Sequence, residues 1–158
     1  MLFLILVIAG PDGNFYMTDR HHFVLSLHTA RGRRLPSLVA KVKKNWSMMS
    51  EQKFWQQMQR NNYIYLYDEH GSPLSDHTEI PDHITELKND PYRSLAWAVR
   101  ELGGFKKTDI PFAEFAWANY FRPLVDVGIS DSEFDKAVSK AMQLAKSKSA
   151  KHLPGYKS

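Results

Sequence analysis

The sequence predicts an α+β fold, with strands mostly in the first half and helices after them. Three observations carry this reading. Residues 2–9 form an apolar, β-branched run closed by the turn Gly10-Pro11-Asp12-Gly13. Tyr63-Ile64-Tyr65-Leu66-Tyr67 forms an aromatic run ended by Asp68-Glu69-His70-Gly71. From Asp90 onward, apolar residues recur at helical spacing, and Gly and Pro punctuate three successive segments.

In order, the first strand is followed by a short second one at Phe15-Tyr16-Met17-Thr18, which completes a hairpin. Asp19 then reads as the N-cap of a helix running to about Ala30, with Gly32 as its stop. Phe23, Leu27 and Ala30 share one face of that helix. Leu38 to Trp46 partly alternates apolar and basic residues, as a half-exposed strand does. Ser50 and Glu51 open a second helix through Phe54, Trp55 and Met58, closing near Asn61-Asn62, and a short helix is expected over 84–87. Asp90 with Pro91 begins a helix through Leu95, Val99 and Leu102 to the stop Gly103-Gly104. A further helix starts near Pro111 and ends before Pro123. The last, capped by Ser130 or Asp131, carries Phe134, Val138 and Met142. Residues 1–146 are expected to form one domain with a helical C-terminal part, and 147–158 a flexible basic tail.

A chain of 158 residues suits one core, and a 43% hydrophobic and 13% aromatic content suffices to bury it. Cysteine is absent, which removes disulfides, thiolate nucleophiles, zinc–thiolate sites and iron–sulfur clusters together. The net charge of +4 and pI of about 9.2 lean toward a phosphate-bearing partner, with Lys146, Lys148, Lys151 and Lys157 supplying part of the excess. The opening apolar run lacks the basic flank of a signal peptide and is under half the roughly 20 residues that span a bilayer. A cytoplasmic protein with no membrane partner is therefore expected.

The densest polar cluster is Thr18-Asp19-Arg20-His21-His22, where a strand turns into a helix. The first N–H groups of a helix are unpaired and carry the positive dipole end, so anions settle there. Arg20 can add a fixed charge, His21 or His22 can move a proton, and Asp19 can orient an imidazole. On local spacing alone, the commoner arrangement is a plain N-cap followed by surface histidines. His21 and His22 diverge by about 100° on a helix, so they do not readily share a metal. Asp19 with His22, or His21 with His28, are the remaining pairings, and no zinc spacing is present. A second cluster places Arg93, Trp97 and Arg100 on one helical face, fit for phosphate and a stacked base. The alternative there is a core Trp97 with the arginines paired to Glu114 or other acids.

Several motifs in this order resemble the bacterial ParB-like nuclease family. They are Gly10-Pro11-Asp12-Gly13, Thr18-Asp19-Arg20-His21-His22, Glu51-Gln52-Lys53-Phe54-Trp55, Tyr65-Leu66-Tyr67-Asp68, Asp90-Pro91-Tyr92-Arg93-Ser94-Leu95-Ala96-Trp97, Phe112-Ala113-Glu114-Phe115 and His152-Leu153-Pro154-Gly155-Tyr156. The resemblance implies the ParB/sulfiredoxin fold, with a small mixed sheet and a helical C-terminal part. It implies nucleotide or phosphate binding at the strand-to-helix turn. The family's Asp-x-His-His element matches Asp19, His21 and His22, the expected catalytic set. Its Asp-Pro-Tyr-Arg-Ser element matches Asp90, Tyr92, Arg93 and Ser94, so Arg93, Ser94 and Arg100 join Arg20 as expected phosphate or nucleic-acid contacts. A nuclease or other phosphoryl-transfer enzyme is expected, with a divalent metal left open. A non-catalytic nucleotide- or DNA-binding module is the alternative, and an interaction protein docking through its aromatic helices is a third.

Three departures from the resemblance matter. Sulfiredoxin chemistry needs a cysteine and is excluded. The arginine-rich box and helix-turn-helix of chromosome-partitioning ParB proteins are not seen. The family's segment before the first strand is expected to be missing here.

Overall fold

Strand β1 (Phe3–Ala9) lies at the centre of a three-stranded mixed sheet, antiparallel to β2 (Phe15–Met17) and parallel to β3 (Leu38–Asn45). This computed structural model describes residues 3–31 and 38–157. Gly32, expected as a helix stop, lies outside the described residues. Helix α1 (His21–Arg31) connects β2 toward β3, and α2 (Glu51–Arg60) follows. Two 3₁₀ turns, His77–Glu79 and Ile84–Glu86, precede α3 (Pro91–Glu101), α4 (Ala113–Phe121) and α5 (Asp131–Ala145). The class is α+β with a helical C-terminal part, as the order of strands and helices predicted.

The chain divides into two compact units, where the sequence reading expected one core. The first runs to Asp68 and adds Pro73–Lys88; the second joins Glu69–Ser72 to the residues from Asn89 onward.

In the first unit, Ile8 and Phe54 are fully buried and Met58 nearly so, with Tyr16, Trp46 and Trp55 packed around them. Burying each such side chain contributes roughly 1.5–3 kcal/mol. Helix α2 turns Phe54 and Met58 inward at i and i+4, and Ser50 caps it by accepting from Lys53 N at 3.4 Å. Strand β1 is buried at Val7 and Ile8, but Leu4 is half exposed, so its burial is concentrated in the C-terminal half. The aromatic run 63–67 is not a strand. It makes one isolated bridge, Tyr67 with Pro73, with Leu74 N donating to Leu66 O, while Tyr63 N turns back to Met58 O at the end of α2. Pro73 has no N–H, so a ladder cannot propagate there.

In the second unit, Asp90 caps α3 through Tyr92 N at 2.9 Å, with Pro91 at its first turn. Its C-terminus closes on Gly103, at φ 79°, with Gly104 N donating to Val99 O. Ser130 and Glu133 form a reciprocal capping box on α5. The fully packed stripe of α5 is Ala137, Ala141 and Ala145, not the larger Phe134, Val138 and Met142, which are only partly buried. Small residues at i, i+4 and i+8 let a neighbouring helix approach closely. The centre of this core is Trp117, stacked on Phe105 at 4.3 Å and flanked by Phe121.

Residues 147–157, expected as a flexible tail, are instead packed within this unit. Ala150 is fully buried in a third 3₁₀ turn, Lys148–Ala150. Trp117 Nε1 donates to Pro154 O at 2.8 Å, and Lys106 N to Gly155 O at 2.7 Å. The composition of the segment concealed three small or cyclic residues: Ala150 is buried, Pro154 meets Trp117 of α4, and Gly155 lies against Lys106.

Candidate functional site

The β2–α1 turn is built by a sheet that runs out of backbone partners. Thr18 N donates to Leu6 O at 3.0 Å, continuing the β1–β2 ladder one step past Met17. The return bond, from Leu6 N, goes to the Asp19 carboxylate at 3.0 Å. Asp19 is therefore not the N-cap of α1. That position falls to Arg20, whose carbonyl accepts the first helical bond from Val24 N at 3.0 Å, and which sits at φ 58°. A left-handed backbone on a non-glycine residue is uncommon and costs roughly 1–2 kcal/mol.

His21 follows at once and is largely covered. Its Nε2 lies 3.0 Å from Met17 O. A carbonyl can only accept, so Nε2 carries the proton and Nδ1 is the acceptor of the neutral ring. Burial pushes the His21 pKa down, against smaller upward pulls from the Met17 carbonyl and the Asp19 charge. The imidazole is thus held neutral, in one tautomer and one orientation. His22 points outward and is exposed, as is Arg20. The turn brings Asp19 and His21 together and leaves Arg20 and His22 at its rim.

The predicted α3 face lies in the second unit. Arg93 and Arg100 both pair with Glu114, and Arg100 also reaches Glu101 at 2.7 Å. Burial and the nearby Arg100 charge push the Arg93 guanidinium pKa down. Ser94 N donates to Asp90 O within the first turn of α3. Trp97 is 51% exposed and so is not the core residue of the alternative reading, whereas the pairing with Glu114 is the one that reading named.

Arg122 was missed by the sequence reading. Its Nη2 donates to Asp90 at 2.8 Å, its guanidinium lies 4.8 Å over the Tyr92 ring, and Nη1 reaches Glu69 O at 3.3 Å. Gly71, at φ 78°, passes so close that an added Cβ would stand 3.0 Å from Arg122 Nε. The available signal was Asp90 itself, an N-cap carboxylate before Pro91; the structure leaves it 7% exposed, and a carboxylate so covered needs a cation.

Among the described residues, no group of three or more His, Asp or Glu is arranged to hold a metal ion. An open groove of about 390 Å³ lies along α2, lined by Glu51, Gln52, Trp55, Gln56, Gln59 and His77. It carries amides and a carboxylate but no cation for phosphate other than a protonated His77, and none of the predicted site residues borders it. The shallow turn at Asp19 and His21 remains the stronger candidate on chemical grounds.

Fold and turn together describe a small mixed sheet whose strand-to-helix junction holds an acid and a largely covered histidine. The family described as "Putative ParB-like nuclease" covers residues 4–123, and the chain belongs to it. The chain is also similar to the crystal structure of protein Atu1540 from Agrobacterium tumefaciens, at 38% identity and a TM-score of 0.90, covering 98% of this chain and 76% of that one. No curated protein matches the sequence. No helix among the described residues is long and apolar enough to cross a membrane.

Proposed function

We propose that this protein is a phosphoester-processing enzyme acting on a nucleotide or nucleic acid, with the β2–α1 turn as its centre. The observation that carries the reading is the His21 ring, held by Met17 O so that a neutral Nδ1 is the available base. Asp19 fixes the turn through Leu6 N and places a negative charge beside the imidazole. Arg20 and the first N–H groups of α1 receive the phosphate. In hydrolysis, His21 Nδ1 takes a proton from water as the water oxygen bonds phosphorus. The ester oxygen leaves with a proton supplied by His22 or solvent. On α3, Arg93, Ser94 and Arg100 form a separate phosphate contact, where the two guanidinium groups share the Glu114 carboxylate and Arg100 also pairs with Glu101, so phosphate binds there by displacing a carboxylate.

The test is turnover of single- and double-stranded nucleic acid, with and without Mg²⁺ or Mn²⁺. His21→Ala is expected to lower the rate about 100-fold or more while substrate binding persists. His22→Ala tests the second proton transfer in the same assay. Full activity in both variants, or a wild-type protein with neither phosphate affinity nor cleavage, overturns the proposal. The alternative, a binding module without turnover, is favoured by the commitment of the Asp19 carboxylate to Leu6 N. It predicts that His21→Ala loses binding and that wild type never cleaves.

A further inference from the structure

The C-terminal segment holds the whole positive excess of the chain. Of the 21 Lys and Arg residues, 17 precede Lys146, and the 17 Asp and Glu all do as well. Lys146, Lys148, Lys151 and Lys157 therefore account for the net charge of +4, and no acid follows Asp135.

These lysines sit on a shaped surface. Lys151 N donates to Lys148 O at 3.2 Å, closing a 3₁₀ turn in which residues three apart eclipse, so both side chains project together. Ala150 between them is fully buried, and Ser149 binds the Tyr120 hydroxyl at 2.7 Å. Tyr156 OH donates to Lys146 O at 3.4 Å, and Gly155 O receives Lys106 N, which brings Lys106 and Lys157 to the same segment. Lys106, Lys146, Lys148, Lys151 and Lys157 are all exposed. The backbone that carries them is anchored, so binding a ligand need not order it.

We propose that this surface binds the phosphate backbone of double-stranded nucleic acid without regard to sequence, independently of the chemistry at the β2–α1 turn. Lysine is a point charge, suited to phosphate and lacking the planar fork that reads guanine. Among the described residues, no large apolar side chain after Ile129 is well exposed, so the surface has nothing to insert into a bilayer, and the exposed His152 ring is already engaged edge-on with Tyr120. The lysines after residue 123 also lie beyond the part of the chain matched by the family.

The test is anisotropy of a labelled duplex with the full-length protein across a salt series, without divalent metal. In Lys146→Glu/Lys148→Glu/Lys151→Glu, the slope of log K against log salt is expected to fall by about 3, and affinity near 0.1 M salt on the order of 100-fold. The charge-matched control Lys41→Glu/Lys44→Glu/Lys53→Glu, on β3 and α2, should keep most of the affinity. Equal loss in both triples would mean net charge alone is at work and overturns the proposal. So does wild-type protein that ignores the duplex at low salt, or that prefers anionic vesicles or an acidic polypeptide to it. Thermal melting of each variant separates lost binding from lost folding, and the Lys→Gln triple should show the same order with a smaller effect. Turnover plays no part in this readout, so failure here leaves the reading of His21 untouched.

Discussion

At the scale of single residues, the candidate site is a set of competing demands on one short turn. Asp19 completes the sheet instead of capping the helix, and this hands the cap position to Arg20 at φ 58°. Replacing Arg20 by Gly removes a strain of roughly 1–2 kcal/mol but adds unfolded-state freedom of about 0.4–1 kcal/mol, so a net gain of about 0.5 kcal/mol is expected. Denaturant melting checks the gain, and a phosphate titration should show weaker affinity in the same variant. A drop in stability would mean that the Arg20 side chain holds the turn. His21 sets a pH dependence. Burial lowers its pKa in the fold, so the unfolded chain takes up the proton first as pH falls. Stability is then complete above about 6.5, the ordinary histidine value, and declines below it. A melting series from pH 8 to 5 should show this decline, and His21→Gln, which keeps a donor for Met17 O, should flatten it. In the second unit, Arg122→Ala leaves the nearly buried Asp90 carboxylate without its cation, and a loss of about 3 kcal/mol is expected in denaturant unfolding.

At the scale of elements, legibility followed the strength of local signals. Helices α2, α3 and α5 were readable because each begins on a Ser or Asp cap, and α3 ends on a glycine in the left-handed region. The sequence marked β1 as an apolar strand, but not its parallel pairing with β3, which depends on contacts over thirty residues apart. The Tyr63–Tyr67 alternation misled because its rings pack on neighbours, Tyr63 against Trp46 at 5.9 Å, without a partner strand to accept a ladder. At the candidate site, the residue types at 19–22 were legible, while their roles depended on which backbone group each side chain reached. The C-terminal segment misled in the other direction, since lysine and serine hide a backbone docked by Gly155 and Pro154. Gly155, at φ 73°, stands so near Lys106 that a Cβ would lie 2.1 Å from its carbonyl oxygen. Gly155→Ala should therefore release this segment. Hydrogen exchange of the Lys106 amide, protected in wild type, is expected to quicken markedly. An unchanged rate would show that the docking does not need this glycine.

At the scale of the whole chain, the division into two units makes a claim about folding. The second unit carries its own core of Leu95, Val99, Phe105, Trp117 and Phe121, closed by the alanine stripe of α5 and by Ala150. Its helices are capped by residues of the same unit, Asp90 and Ser130, and the Asp90 charge is balanced by Arg122. Only Glu69–Ser72 come from outside the continuous stretch that starts at Asn89. Their described contribution to it is the Glu69 carbonyl bonded to Arg122 and the close passage of Gly71. A fragment of residues 89–158 loses the bond from Arg122 to the Glu69 carbonyl and keeps every buried side chain of the cluster. It should therefore fold alone, as a helical body whose thermal transition is cooperative, although small domains of about 70 residues are only marginally stable. Within the fragment, Leu95→Ala removes a fully buried side chain and should cost about 2–5 kcal/mol, enough to abolish that transition. Circular dichroism melting of the two fragments decides the matter: a sloping, non-cooperative loss of helix in the parent fragment would show that the second unit is not a folding unit.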